Sequence, residues 1–197
     1  IWLMGQVVYV VLATIIYNLF LLTVLGIVAA PFSFVGNVWS KTAAMLGYGG
    51  GESITVPVSV KTMEISTPYM CAISVFALML LYSLLVAVFM LFLNLSIGNM
   101  AGVLGAFALN LYGLFLNPSI FRKLFHFTGN LAYKANVLCG WLSPLNHATF
   151  PMHNFGYDYL PKLWMSMGIF FVFILVLILL SGMKMRSYSF SFIQAEE

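Results

Sequence analysis

The sequence predicts an all-α membrane protein with about four transmembrane helices, a helical hairpin among them, and an interfacial or re-entrant segment. Of its 197 residues, 62% are hydrophobic and 7% are charged, whereas ordinary soluble domains contain about 25% charged residues. Residues 65–121 contain no Lys, Arg, Asp or Glu, and about 20 helical residues cross a bilayer core about 30 Å thick. The apolar runs are continuous, unlike the alternating strands of a membrane β-barrel. We therefore expect residues 1–197 to form a single transmembrane domain.

The first predicted span covers residues 2–30 and is followed by Pro31. It is longer than the bilayer requires, so we expect the helix to tilt or to project beyond the membrane. Tyr17 and Asn18 lie near its middle. Polar residues at that depth either hydrogen-bond a neighbouring helix or line a path for a substrate. The same two interpretations apply to Asn110, which lies in a later span.

Residues 31–69 are predicted to form a loop outside the bilayer core. This loop contains the run GYGGGES at 47–53, in which three consecutive glycines indicate a flexible joint. The GxxxxGK[ST] spacing of a phosphate-binding loop is missing from this run. The loop therefore gives no sign of a nucleotide site.

A helical hairpin is predicted from residues 70–94 and 100–116, with a tight turn between them. The first arm is bulky, whereas the second contains small residues at helical spacing. Small residues let membrane helices approach closely, although glycine is also common in membrane helices in general. We predict a packing face that consists of Gly98, Gly102, Gly105 and Ala106.

The sequence after the hairpin contains both basic and aromatic residues. Residues 120–141 suit a helix that lies on the membrane surface, or a re-entrant pair broken at Gly129 and Asn130. The residues predicted to lie at this surface include Arg122, Lys123, Lys134 and Trp141. The last span is predicted at residues 163–183, with a basic residue at each end.

No catalytic, cofactor-binding or metal-binding set is predicted. His147 and His153 share a loop with Asp158, but their spacing is not that of a zinc site, and we interpret them as polar loop residues near an interface. Ion-coupled transporters generally place ionisable residues within the bilayer, and the four predicted spans contain none. If the protein moves a substrate, we expect the energy to come from a partner.

Several stretches are similar to one family when they are taken in order. They are IWLMGQVVYVVLATIIYNLFLL, the hairpin text LFLNLSIGNMAGVLGAFAL, the loop texts WLSPLNHATF and GYDYLPKLW, and the final GMKMRSYSFSF. The chain resembles the C-terminal half of an ABC transporter permease of the type-2 exporter class, in the variant common in Gram-positive bacteria. It departs from the family in having no basic residue in the hairpin turn, at residues 96–99. The family's ATPase-coupling helix would precede Ile1, in a longer permease.

The resemblance implies a permease subunit of an ATP-driven exporter in a cell membrane, for which the bacterial plasma membrane is expected. It implies a cytoplasmic ATP-binding partner that holds ATP and Mg, a second permease copy or homologue, and contact with membrane lipid. The substrate would be a peptide, a lipid or a drug-like molecule, and this chain would not itself be catalytic. The alternative is a membrane scaffold or regulatory subunit. The small net charge of +3 gives no indication of nucleic-acid binding.

The charges of the loops and the family resemblance predict opposite orientations in the membrane. Six Lys or Arg residues lie in the two long loops, and the positive-inside rule would place those loops in the cytoplasm. The family resemblance instead places the hairpin turn and the C-terminus in the cytoplasm. Lys184 and Arg186 lie directly at the end of the last span, where the rule has most weight. We therefore expect both long loops to be outside.

Overall fold

The regular structure is helical. A computed structural model describes residues 2–32, 36–41, 45, 60–98, 100–117, 120, 124–126, 129–156 and 159–186. In these ranges the helices are α1 (Trp2–Ala29), α2 (Val60–Ile65), α3 (Pro68–Ser96), α4 (Ala101–Phe115), α5 (Gly129–Leu142), α6 (Pro144–Ala148) and α7 (Leu163–Arg186), with 3-10 turns at Ala30–Phe32 and Phe150–Met152. The predicted all-α fold class is confirmed.

Three helices in the described part of the chain are long and apolar enough to cross a membrane, and they are α1, α3 and α7. The second hairpin arm, predicted at residues 100–116, is an apolar helix of 15 residues, or about 22 Å at 1.5 Å per residue. It is therefore shorter than a bilayer core about 30 Å thick. The protein has the features of a multi-pass membrane protein, with three long helices and one shorter one where four full spans were predicted.

Helix α3 is the central element, since it packs against α1, α4, α6 and α7. Thr67 caps its start, because the Thr67 side chain accepts a hydrogen bond from the amide of Met70 and Pro68 needs no such partner. The buried apolar cluster at its centre consists of Leu78, Leu85, Phe150 and Phe170. Helices α3 and α7 therefore share a core with the turn at Phe150–Met152.

Specific contacts fix the helix directions. Asn18 in the middle of α1 bonds Ser83 in the middle of α3, and Leu3 lies beside Gly182 near the end of α7. Phe170, early in α7, packs near Tyr82, while Leu180 lines the same groove as Phe89 further along α3. Helix α7 therefore runs in the same direction as α3, and α1 runs in the opposite direction. The start of α1, the hairpin turn and the end of α7 lie at one end of the bundle.

Helix α4 stops before it reaches the other end. Asn110 bonds Tyr82, and Phe115 is five residues further on, near the level of Leu78. That level is about 15 Å along α3 from Pro68. Residues 129–162 are called the connecting segment. Its helix α6 and its turn at Phe150–Met152 occupy part of the remaining depth, because both pack against α3. This part of the connecting segment is thus inserted among the helices.

The basic part of the predicted surface segment is only partly described. Arg122 and Lys123 lie outside the described residues. Helix α5 begins at Gly129, whose φ of +59° favours glycine, and it carries the exposed Lys134.

Candidate functional site: an apolar groove with a polar end

An apolar groove of about 620 Å³ lies between α3, α4 and α7. Leu85, Phe89, Leu109, Phe173 and Leu180 form part of its walls. Trp141, Pro144 and His147 of the connecting segment line it as well. His147 is the one ionisable side chain among the described residues that line the groove. The volume of the groove is within the range of about 300–1,000 Å³ that is usual for small-molecule sites.

Helix α6 is held at this position by hydrogen bonds to the ends of two other helices. The Asn146 side-chain amide donates to the carbonyl oxygens of Leu116 (3.0 Å) and Cys139 (2.9 Å). The Ser143 hydroxyl donates to the carbonyl of Gly113 (3.2 Å) and accepts from the amide of Asn146 (3.3 Å). The last carbonyls of a helix have no partner within it. Ser143 and Asn146 therefore satisfy the carbonyls of Gly113 and Leu116 at the end of α4. Asn146 adds a second hydrogen bond to the Cys139 carbonyl of α5, which also accepts from the amide of Ser143 (3.1 Å).

Close approach of α6 to α4 depends on Gly113. A Cβ added at Gly113 would lie 2.7 Å from the Cβ of Leu145. Any larger residue at this position would therefore push the two helices apart.

Two buried histidines meet at one serine beside the groove. His147 and His153 are 4% and 2% exposed, and Ser166 of α7 is fully buried. Nδ1 of His147 and Nε2 of His153 each lie 2.8 Å from Oγ of Ser166. The other nitrogen of each ring bonds a backbone carbonyl. His147 Nε2 donates to the carbonyl of Trp141 (3.0 Å). His153 Nδ1 donates to the carbonyl of Phe150 (3.0 Å).

Burial lowers the pKa of both histidines. For His147, loss of hydration is opposed by the hydrogen bond to the Trp141 carbonyl, but the pKa remains below its ordinary value. For His153, burial is again the largest cause of the lowered pKa, the Phe150 carbonyl opposes it, and the nearby His147 lowers the pKa further. The buried rings therefore favour their neutral forms near pH 7.

This burial differs from the sequence interpretation of His147 and His153 as polar loop residues near an interface. Their partner, Ser166, is 19 and 13 positions away in the chain. Ser143, Asn146 and Ser166 were not singled out from the sequence. The one feature of the sequence that could have indicated this cluster is Ser166 itself, a hydroxyl near the start of an otherwise apolar span.

Trp141 lies at the edge of the groove. Its ring nitrogen donates to the carbonyl of Tyr159 (2.8 Å), and its ring meets that of His147 edge-on at 6.3 Å. Trp141 is 42% exposed. This half-exposed aromatic ring closes the polar end of the groove.

The polar residues proposed as pathway-facing lie in different surroundings. Asn18 is 2% exposed and donates to Ser83 Oγ (2.9 Å) and to the carbonyl of Thr14 (2.8 Å). Asn110 accepts from the hydroxyl of Tyr82 (2.9 Å). Tyr17 is 61% exposed on the outside of the bundle. Asn18 and Asn110 thus link neighbouring helices.

The four small residues of the predicted packing face lie in two kinds of place. Gly102 lies against Asn94 and the backbone of Met90, Gly105 lies against Leu93, and Ala106 is buried. Gly98 lies in the turn with a φ of +147° and open space around it. The role of Gly98 in the structure is therefore the backbone conformation of the turn, which glycine adopts readily.

In the described part of the chain, no group of three or more His, Cys, Asp or Glu residues could hold a metal ion. Comparison of the chain with protein families, with curated proteins and with solved structures finds no match.

Proposed function

We propose that this chain is a membrane-spanning permease subunit of an ATP-driven ABC exporter, with ATP and Mg bound by a cytoplasmic partner. The apolar groove between α3, α4 and α7 is the observation that supports this most directly. It suits a hydrophobic substrate such as a lipid, a drug-like molecule or an apolar peptide. In this proposal the chain supplies part of the pathway and the partner supplies the energy.

The order of elements agrees with the proposal. A long helix, a loop, a hairpin, an inserted connecting segment and a last long helix follow one another, as in the family that the sequence resembles. The start of α1, the hairpin turn and the end of α7 share one end of the bundle, which in the proposal faces the cytoplasm. Lys184 and Arg186 lie at that end, in agreement with a cytoplasmic location.

The surface of α1 supports assembly with further helices. Asn18 is its one buried residue, and large apolar side chains are exposed along its length, from Met4 (70%) to Ile27 (69%). Lipid alone could cover such a surface. In the proposal, a second permease copy or the other half of a longer permease covers part of it.

The test combines co-purification with filling of the groove. Leu180→Trp places a larger side chain in the groove, whereas Leu179→Trp makes the same change at a neighbouring residue that is 68% exposed on the outside. The full-length protein would be purified from the membranes of its own host in mild detergent. Mg-dependent ATP hydrolysis would be measured on the purified protein, and export of hydrophobic dyes on the protein returned to lipid vesicles.

We expect an ATPase to co-purify with both variants, and Leu180→Trp alone to lower dye export by about tenfold, equivalent to about 1.4 kcal/mol of substrate interaction. Purification without any ATPase would contradict the permease proposal. An ATPase that co-purifies but supports equal export in both variants would favour a scaffold or regulatory subunit instead.

A further inference from the structure

The contacts of His147, Ser166 and His153 need four hydrogens. A carbonyl oxygen can only accept, so the contact with Trp141 places a hydrogen on Nε2 of His147. The contact with Phe150 likewise places a hydrogen on Nδ1 of His153. A neutral imidazole carries one N–H. When both rings are neutral, the nitrogens that face Ser166 are therefore both acceptors.

The neutral cluster lacks one of these hydrogens. Ser166 Oγ lies 2.8 Å from each of the two acceptor nitrogens, and a hydroxyl has a single hydrogen. One contact is then a hydrogen bond, and the other brings two lone pairs together. If one ring takes a proton from water, that ring donates to Oγ while the hydroxyl donates to the other ring. All four contacts then become hydrogen bonds.

We propose that His147, Ser166 and His153 form a binding site for a single proton, whose uptake adds a fourth hydrogen bond between the connecting segment and α7. His147 belongs to α6, His153 follows the turn at Phe150–Met152, and Ser166 belongs to α7. The fourth hydrogen bond therefore joins two parts of the chain that are separate elements. The trio meets the groove at His147, which also lines it.

A second proton is excluded by charge. It would place two positive rings against the same oxygen atom in a buried site, where like charges repel strongly. The described elements that pack against the trio, and the described residues next to those elements, carry other titratable or charged side chains. They are Tyr69, Cys71, Tyr82, Tyr112, Tyr133, Lys134, Cys139, Tyr159, Lys162, Lys184 and Arg186. None of these residues is a carboxylate that could neutralise a second charge.

Burial sets the pH at which the proton binds. Burial lowers the pKa of both rings. Proton uptake therefore occurs at a lower pH than for an exposed histidine, whose pKa is about 6.5. The unfolded chain takes up protons first as the pH falls, and the fold loses stability below about pH 6.5. This loss becomes less steep once the folded pair has bound its proton.

The experiment is a titration of the ring nitrogens. The full chain, labelled with 15N-histidine and carrying His126→Gln to remove the third histidine, would be placed in phosphatidylcholine nanodiscs and followed by NMR from pH 8 to pH 4. His126 is exposed and outside the trio. We expect the Nε2–H form of His147 and the Nδ1–H form of His153 at pH 8, followed by uptake of one proton by the pair while the other ring stays neutral.

Reversed tautomers at pH 8, full charging of both rings in the folded protein, or no titration of either ring would overturn the proposal. Ser166→Ala tests the bridge. It should lower the midpoint of uptake by about one pH unit or more, because a hydrogen bond to a charged ring is lost, and Ser166→Thr should restore it. An unchanged midpoint in Ser166→Ala would also overturn the proposal. If Ser166→Ala does not fold, the titration of the parent protein decides.

Hydrogen exchange tests how many protons the closed connecting segment binds. In the parent protein, protection of the amides of residues 143–153, after correction for the intrinsic pH dependence, should fall below about pH 6.5, because an opened segment exposes two histidines that bind protons more tightly than the buried pair. The fall should become less steep once the buried pair has bound its proton. A fall whose slope does not change across the midpoint measured by NMR would overturn the one-proton site.

Discussion

Gly102→Ala is expected to destabilise the hairpin by about 1–3 kcal/mol, the usual cost of overpacking. The added Cβ would lie 2.7 Å from the carbonyl oxygen of Met90 and 2.5 Å from Oδ1 of Asn94. The carbonyl belongs to the backbone of α3 and cannot rotate away. Asn94 Oδ1 also accepts a hydrogen bond from the amide of Gly102 (2.8 Å), which satisfies a free donor at the start of α4. The substitution therefore threatens both the helix contact and the cap.

Gly26→Ala is the matched control, because a Cβ at Gly26 in α1 would meet nothing within 4 Å. Thermal unfolding of the two variants in the same detergent measures the difference. We expect Gly26→Ala to be neutral or to stabilise α1 slightly, since alanine favours helix over glycine. Equal unfolding midpoints for Gly102→Ala and the parent protein would show that α3 and α4 do not meet closely at Gly102.

Asn146→Asp is expected to cost about 2–5 kcal/mol, a large part of the stability of an ordinary domain. The side chain keeps its size but loses both donors. A carboxylate would then face the carbonyl oxygens of Leu116 and Cys139, which Asn146 now binds at 3.0 and 2.9 Å. Both carbonyls lie at helix C-terminal ends, where the helix dipole disfavours negative charge. Helix α6 should therefore detach from α4 and α5.

Asn130→Asp makes the same chemical change at an exposed position of α5 and should leave stability nearly unchanged. Unfolding midpoints at pH 7.5 compare the two variants. Limited proteolysis should also cut the connecting segment sooner in Asn146→Asp. Similar midpoints and similar proteolysis for both variants would contradict the role assigned to Asn146.

The long helices could be predicted because length and hydropathy are local properties of the sequence. The predicted span 70–94 lies within α3 (Pro68–Ser96), and 163–183 lies within α7 (Leu163–Arg186). The 15-residue length of α4 was not predicted. The apolar sequence of α4 continues to Leu116. Hydropathy does not distinguish a helix that crosses the whole membrane from a shorter helix above which another segment occupies the remaining membrane depth.

The polar end of the groove depends on contacts between distant residues, which periodicity does not reveal. His147 and Ser166 are 19 positions apart, and Asn146 reaches a carbonyl 30 positions earlier. His147 and Asn146 alone are compatible with an exposed loop, and Ser166 alone is compatible with an isolated hydroxyl in the last predicted span. The small-residue face was visible as a pattern, and its energetic importance stays a prediction that Gly102→Ala tests.

The most direct test of the account is the location of the two ends of the bundle relative to the membrane. Single cysteines at Ser53 and at Ser189, in a chain from which the unpaired Cys71 and Cys139 have been removed, would be treated on intact cells with a membrane-impermeant thiol reagent. We expect labelling at Ser53 on intact cells, and labelling at Ser189 only after the cells are permeabilised. Labelling of both positions on intact cells would contradict the two-ended arrangement of the helices. Labelling of Ser189 alone would invert the orientation and contradict the exporter proposal.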